Sequence, residues 1–154
     1  MINFIDNIQD VVRNITERIS KINVPEMTKE MATTTAALMR NRIHQQGEAS
    51  DGTPIGTYSD EYMKQRQRPT FKRSSSREVV LSLTRTMEND WGVQEISNGH
   101  AVVFVKNSAR ENFTHMDIAR NAERIYGKKI FSMSEQESAA VDAIVKKHIT
   151  EAFR

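Results

Sequence analysis

The chain has 154 residues, with 38% hydrophobic and 27% charged, and its 22 Lys and Arg against 20 Asp and Glu leave a net charge of +2. A domain of this size buries roughly 68–70% of its unfolded surface and stands without covalent staples. The absence of cysteine excludes disulfides, Cys-based zinc sites and thiol catalysis, and so even a charge balance does not by itself imply a polyanion partner. Residues 1–154 read as one domain.

The first residues, MINFIDNIQDVV, have no basic start and no long apolar run, so neither a signal peptide nor a membrane span is expected. Phe4, Ile8, Val11, Ile15, Ile19 and Ile22 recur at steps of three and four with polar residues between them, the pattern of an amphipathic helix within an N-terminal segment 1–23. Ile is not a strong helix former, so this helix depends on packing its stripe. Phe4, Ile8, Val11, Ile15 and Ile19 are therefore candidates for an assembly surface.

Asn23, Pro25 and Glu26 mark a new helix start, Pro in the first turn and Asn-x-x-Glu as a capping box. Met27, Met31, Leu38 and Ile43 supply the apolar side of this second helix, which ends near Gly47 and is otherwise polar enough for the surface. Eight Met in all read as core gap-fillers. From Gly47 to Thr57 the density of chain-turning residues, Gly47, Asp51, Gly52, Pro54 and Gly56, predicts a loop. A short helix around Ser59 to Gln67 follows. The stretch 63–77 holds Lys64, Arg66, Arg68, Lys72, Arg73 and Arg77 with no acid, and Pro69 and three serines interrupt it; it reads as a mobile basic loop.

DWGVQEISNGHAVVFVKN predicts a β-hairpin at about 91–106, with Asn98-Gly99 in a two-residue type I′ turn and Val93 opposite Phe104. Trp91, Val93, Val102 and Phe104 fall on one face, Ile96, Ala101, Val103 and Val105 on the other. The returning strand is apolar on both sides and asks for cover on both; a lone hairpin is only marginally stable. A helix closing at Gly127 comes next. The last helix opens on the capping box Ser134-x-x-Glu137 and gathers Val141, Ile144, Val145, His148 and Ile149 on one side, with Lys146 and Lys147 near its C-terminus. The fold class is α+β: a small antiparallel sheet packed by long N-terminal and C-terminal helices.

Signs of catalysis are sparse. His44, His100, His115 and His148 lie on different elements, and His148 reads as a core or boundary histidine. His115 and Asp117 offer two metal ligands, but no H-x-x-x-H or H-E-x-x-H pattern accompanies them. G-x-S-x-G, Walker-type and G-x-G-x-x-G motifs are missing, and Asp51-Gly52 lacks the alternating oxygens of a calcium loop. No enzyme activity, cofactor, metal site or small-molecule substrate is expected. The basic residues of 63–77, with Tyr62 and Phe71 near enough to stack on bases, support a second reading as a non-specific DNA-binding module. No sequence-reading motif goes with them.

The order of features carries a resemblance. A helix ending in RIHQQGEASDGTPIGTYSDEYMKQR is followed by LSLTRTMENDWGVQ, the hairpin NGHAVVFVKN, ARENFTHMDIARNAERIYGKKIFSMSEQE and a terminal helix. From about Met31 to Phe153 the chain resembles the phage virion morphogenesis family, the tail-completion proteins of Mu-like and P2-like phages. More distantly it is similar to tail-terminator and head-tail joining proteins. The family-like loop is Gly47, Asp51, Gly52 and Pro54; Leu81, Leu83 and Thr84 match the segment before the strands, and Gly127 to Phe131 the stretch before the last helix. Arg85 stands where the family tends to have Gly, Ile55 where an aromatic is common, and Lys128 or Lys129 where Arg is usual. The resemblance implies a structural virion protein of the tail or neck, assembled in the host bacterial cytoplasm. It would form a homo-oligomeric ring, hexameric as in terminator-type members, with the tail tube and head connector as partners, DNA in its channel, and no membrane.

Overall fold

The computed structural model describes residues 4–69, 76–82, 85–106 and 113–154, with side chains from residue 8 onward. Helices α2 to α5 each open on a side-chain oxygen that satisfies an N–H the helix itself leaves free. Asn23 accepts from Glu26 at α2 (Val24–Asn41), and Ser59 from Tyr62 at α3 (Asp60–Arg66). Thr114 with Asp117 and Ser134 with Glu137 form reciprocal capping boxes at α4 (His115–Tyr126) and α5 (Glu135–Ala152). Left-handed Gly47 and Gly127 end the helical turns before them. Together with α1 (Phe4–Ser20) and the antiparallel pair β1 (Trp91–Ile96) and β2 (Gly99–Phe104), the described residues form an α+β fold.

Contrary to the Met27, Met31, Leu38 pattern, the buried face of α2 is Ala32, Thr35, Ala36 and Met39. This helix is no surface element. It runs between the hairpin on one side and α5 on the other, and small side chains let both neighbours approach closely. At its end the helix widens into a π-helical turn, Arg42–Gln46. Three consecutive side chains there, Arg42, Ile43 and His44, are all buried, each toward a different neighbour. The core, Met39, Ile43, Ala49, Ile55, Tyr58, Met63, Val79, Ala122 and Ile130, lies where this turn meets the following loop, α3, α4 and the segment before α5.

In the hairpin, Trp91 pairs with Phe104, Val93 with Val102 and Ile96 with Gly99. The two-residue connection is therefore Ser97-Asn98, one step earlier than Asn98-Gly99. Asn98 is not among the residues with positive φ, which a type I′ turn requires, whereas Gly99 has φ +139°. Gly99 also abuts the Thr28 side chain of α2, 3.1 Å from where a Cβ would sit. Pairing partners move by two residues, so the faces stay as read. One face looks to α2, with Thr28 Oγ1 3.0 Å from His100 Nδ1 and Trp91 Nε1 donating to His44. The other face, Gln94, Ile96, Ala101, Val103 and Val105, ends in the exposed Ile96 and Val105.

Helix α1 leans on the far end of α5, where the Arg18 guanidinium donates to the Phe153 carbonyl and lies 5.8 Å from its ring centroid. Its stripe does not enter the core. Ile8, Val11, Val12, Ile15 and Ile19 are 44–56% exposed.

Candidate interaction surfaces and the loop that supports them

The loop after α2 is a tight turn built by its own residues. Ala49 N donates to Thr53 O at 2.8 Å and Ile55 N to Gly47 O at 2.7 Å, while Asp51 Oδ1 accepts from Thr53 N and Oγ1 at 2.9 and 2.6 Å. The Thr53 hydroxyl above all, then its N–H, holds the Asp51 carboxyl below the usual carboxylate range. Against this turn sits the stretch after α4. Ser50 donates from N and Oγ to Lys129 O, each at 2.9 Å, and Lys128 Nζ donates to Thr53 Oγ1 at 2.7 Å and to Pro54 O. Glu123 of α4 accepts from Ile130 N at 2.8 Å and Phe131 N at 3.0 Å. Of Gly47, Asp51, Gly52 and Pro54, Pro54 thus meets the Gly127 to Phe131 stretch directly, and Ser50 and Thr53 of the same turn make the other bonds to it.

Arg42 ties the two segments to α5. Its Nε donates to Glu137 Oε1 at 2.7 Å and Nη2 to Oε2 at 3.3 Å, and the same guanidinium reaches Glu48 O, Ile130 O and Ser132 O at 2.9–3.1 Å. Both side chains are almost wholly buried. Glu137 also accepts from Ser134 N at 2.7 Å. The pairing did not stand out in the sequence, where Glu137 showed only as half of a capping box and a lone Arg 95 positions away looks like an ordinary surface charge.

The basic stretch divides. Met63 to Arg66 are the last turn of α3 and not loop, and Lys72 and Arg73 lie outside the described residues. Arg66 is 2% exposed, its guanidinium 4.4 Å over the Tyr58 ring with Nη1 3.4 Å from Tyr58 Oη. It is a core cation–π partner, not a cation offered to phosphate. The sequence hides this because a basic run looks uniform until the 3.6-residue period turns one member inward. Arg77 is exposed but engaged, donating to Asp60 Oδ1 at 2.6 Å and to Tyr58 O at 3.3 Å. Tyr58 Oη accepts from Val80 N at 3.1 Å, and burial pushes its phenol pKa up. Among the described residues of the set, Lys64 and Arg68 remain exposed.

The histidines do not converge. His115 Nδ1 is 2.6 Å from Asp90 Oδ2, with Asp90 Oδ1 accepting from Lys106 N at 2.7 Å. An imidazole oriented by a carboxylate is half of many catalytic sites, but His115 is 1% exposed and packs edge-on against Phe104, so no substrate reaches it here. Asp117 is spent in the α4 capping box. Among the described residues no three His, Cys, Asp or Glu side chains are grouped as a metal would need. His148 is a boundary residue, Nε2 2.8 Å from Glu30 Oε2, and Lys147 joins at 3.0 Å. These bonds, His148 first, lower the Glu30 pKa, and Glu30 raises that of Lys147.

His44 yields a prediction. Trp91 Nε1 donates to its Nε2 at 2.9 Å, which places the imidazole proton on Nδ1. Burial above all pushes its pKa below the ordinary 6.5, with Arg40 adding to that and Glu88 and the carbonyls of Val80 and Leu81 opposing it. A depressed histidine contributes stability that is present above pH 6.5 and lost as pH falls through its folded value. Trp91 is the chain's one tryptophan, so its emission reports the bond. Titration should show a transition centred below pH 6.5 that His44→Gln abolishes. A midpoint at or above 6.5 would contradict the assignment.

Of the assembly candidates, Ile8, Val11, Ile15 and Ile19 form the exposed stripe of α1, and the Phe4 side chain lies outside the description. No helix among the described residues is long and apolar enough to cross a membrane. Comparison of the chain with protein-family models, with curated proteins and with solved structures found no match.

Proposed function

We propose that this chain is a non-enzymatic structural protein of a tailed phage virion, a tail-completion, tail-terminator or neck subunit that forms a homo-oligomeric ring between tail tube and head connector. The observation that carries the reading is the contact between the two stretches of family-like sequence. Gly47 to Pro54 and Gly127 to Phe131 are bonded through Ser50, Thr53, Lys128 and Lys129, so short motifs far apart in the chain make one structural unit. A second observation agrees. Arg85, where the resemblance calls for Gly, has φ +61°, the left-handed conformation that Gly adopts without strain. Leu83 and Thr84, also part of the resemblance, lie outside the described residues.

The uncovered stripe of α1 and the open hairpin face fit a subunit that works in contact with its own copies. Non-specific DNA binding by the basic stretch is the weaker reading, since Arg66 is buried and Arg77 is held by Asp60. The test is the solution mass of the purified protein, by light scattering, together with immuno-gold imaging of particles. A ring-sized oligomer and label at the head-tail junction are expected. A permanent monomer absent from virions would overturn the proposal.

A further inference from the structure

Among the described residues, two apolar surfaces are left without cover within the chain. On α1, Ile8, Val11, Val12, Ile15 and Ile19 are about half exposed. On the hairpin, the face turned from α2 carries Ile96 and Val105, 50% and 67% exposed, with Ala101 and Val103 half-buried between them. We infer that α1 of one copy lies across the outer hairpin face of the next, so that a single head-to-tail contact covers both.

The two surfaces match in length. The α1 stripe from Ile8 to Ile19 spans about 17 Å at 1.5 Å per residue, and six-residue strands run about 20 Å. They also match in chemistry. Gln94 is the one polar side chain on the hairpin face, and the α1 positions flanking the stripe, Gln9, Asn14 and Thr16, are uncharged, so closure buries no unpaired charge there. Asp10 and Arg13 of α1 pair with each other at 3.5 Å. Arg18, the interruption in the stripe, is the residue that fixes α1 to its own α5 through Phe153. The helix is thereby anchored at its end while its remaining turns stay uncovered.

A second copy, rather than a foreign protein, follows from the economy of the contact. Any other partner would have to cover a helical stripe and a sheet face on the same chain, whereas a copy brings the complement of each. Because the stripe and the sheet face are different surfaces, the contact is heterologous and propagates, closing into a ring where the rotation allows. The five apolar side chains on α1 and the four on the hairpin face are far fewer than the roughly 20–30 residues a side of a standard complex. A lone contact is therefore weak, and closure, in which every copy uses both faces, makes assembly cooperative. The inference rests on the ring reading for closure and goes beyond it in naming the contact.

The cysteine-free chain permits a clean test in the full-length protein. Val12→Cys and Val105→Cys, both at exposed positions, are made singly and together and treated with a short bis-maleimide, which tolerates spacings a disulfide does not. Mixing the two single variants should give a cross-linked dimer that neither gives alone, and the double variant should give a ladder of oligomers. Ile15→Asp should shift the oligomer to monomer mass at concentrations at least tenfold above the wild-type dissociation range, with the circular dichroism spectrum unchanged. Val12→Cys dimerising alone would mean helix-to-helix pairing and overturn the inference. Cross-linking confined within a monomer would mean that α1 closes on its own hairpin, with the same result. A ring that forms without the mixed cross-link overturns this contact and leaves the ring reading standing. Monomers without any cross-link overturn both.

Discussion

Replacing Arg42 by Ala is expected to lower the unfolding free energy by about 3–5 kcal/mol, because it leaves the Glu137 carboxylate buried without its partner. Against the roughly 5–15 kcal/mol available to a typical domain, that is a fifth of the stability or more. Glu137→Ala should cost as much, since it strands the guanidinium and also removes the reciprocal half of the α5 capping box. Arg42→Lys would not rescue the site. An ammonium lacks the planar fork that spans both Glu137 oxygens and the carbonyls of Glu48, Ile130 and Ser132. Buried ion pairs can often be exchanged for apolar residues without loss. Here the double replacement Arg42→Met with Glu137→Leu should remain well below wild type, because three carbonyls lose their donor as well. Urea denaturation of the four variants measures this, and hydrogen exchange at the Ser50 amide, bonded to Lys129 O, follows the release of the loop. A loss under about 1 kcal/mol for either Ala variant would show that the clamp is dispensable.

What was readable in the sequence, and what was not, divides by the range of the interaction. The capping box Ser134-x-x-Glu137, the left-handed Gly47 and Gly127 and the α1 stripe depend on residues within one or two helical turns, so spacing alone reveals them. The hairpin faces followed from the strict two-residue alternation, and the turn missed by one position because its geometry was decided by Thr28 of α2 lying against Gly99. The buried face of α2 was misjudged for a related reason: a helix with neighbours on two sides favours Ala and Thr where a helix with one favours Met and Leu. Arg42 with Glu137, Asp90 with His115 and His44 with Trp91 lie 95, 25 and 47 positions apart. Each looks unremarkable until the fold joins it to its partner. Arg66 misled most, since its neighbours in sequence are solvent-facing cations while its own environment is the Tyr58 ring.

The family-like loop supplies the second large effect, and its two glycines form an internal control. Gly47 has φ +71° and Gly52 φ +75°, so Ala at either position carries the left-handed penalty of roughly 1–2 kcal/mol. Their surroundings differ. A Cβ on Gly47 would stand 2.6 Å from the backbone oxygen of Val79, whereas one on Gly52 meets nothing within 4 Å. The Val79 backbone has little freedom to yield, because its N–H donates to Gly56 O at 3.1 Å and its side chain is fully buried in the core. Gly47→Ala must therefore displace either the 77–79 segment or the loop that Arg42 and Lys128 hold in place. It is expected to cost about 3 kcal/mol or more, against about 1 kcal/mol for Gly52→Ala. Thermal and urea unfolding of the two variants side by side decide it: equal losses would mean that dihedral strain alone governs the loop and that its contact with Val79 contributes nothing. A gap of about 2 kcal/mol would assign the excess to that contact, which makes Gly47 the point where the turn is docked onto the core and Gly52 a free corner of the same turn.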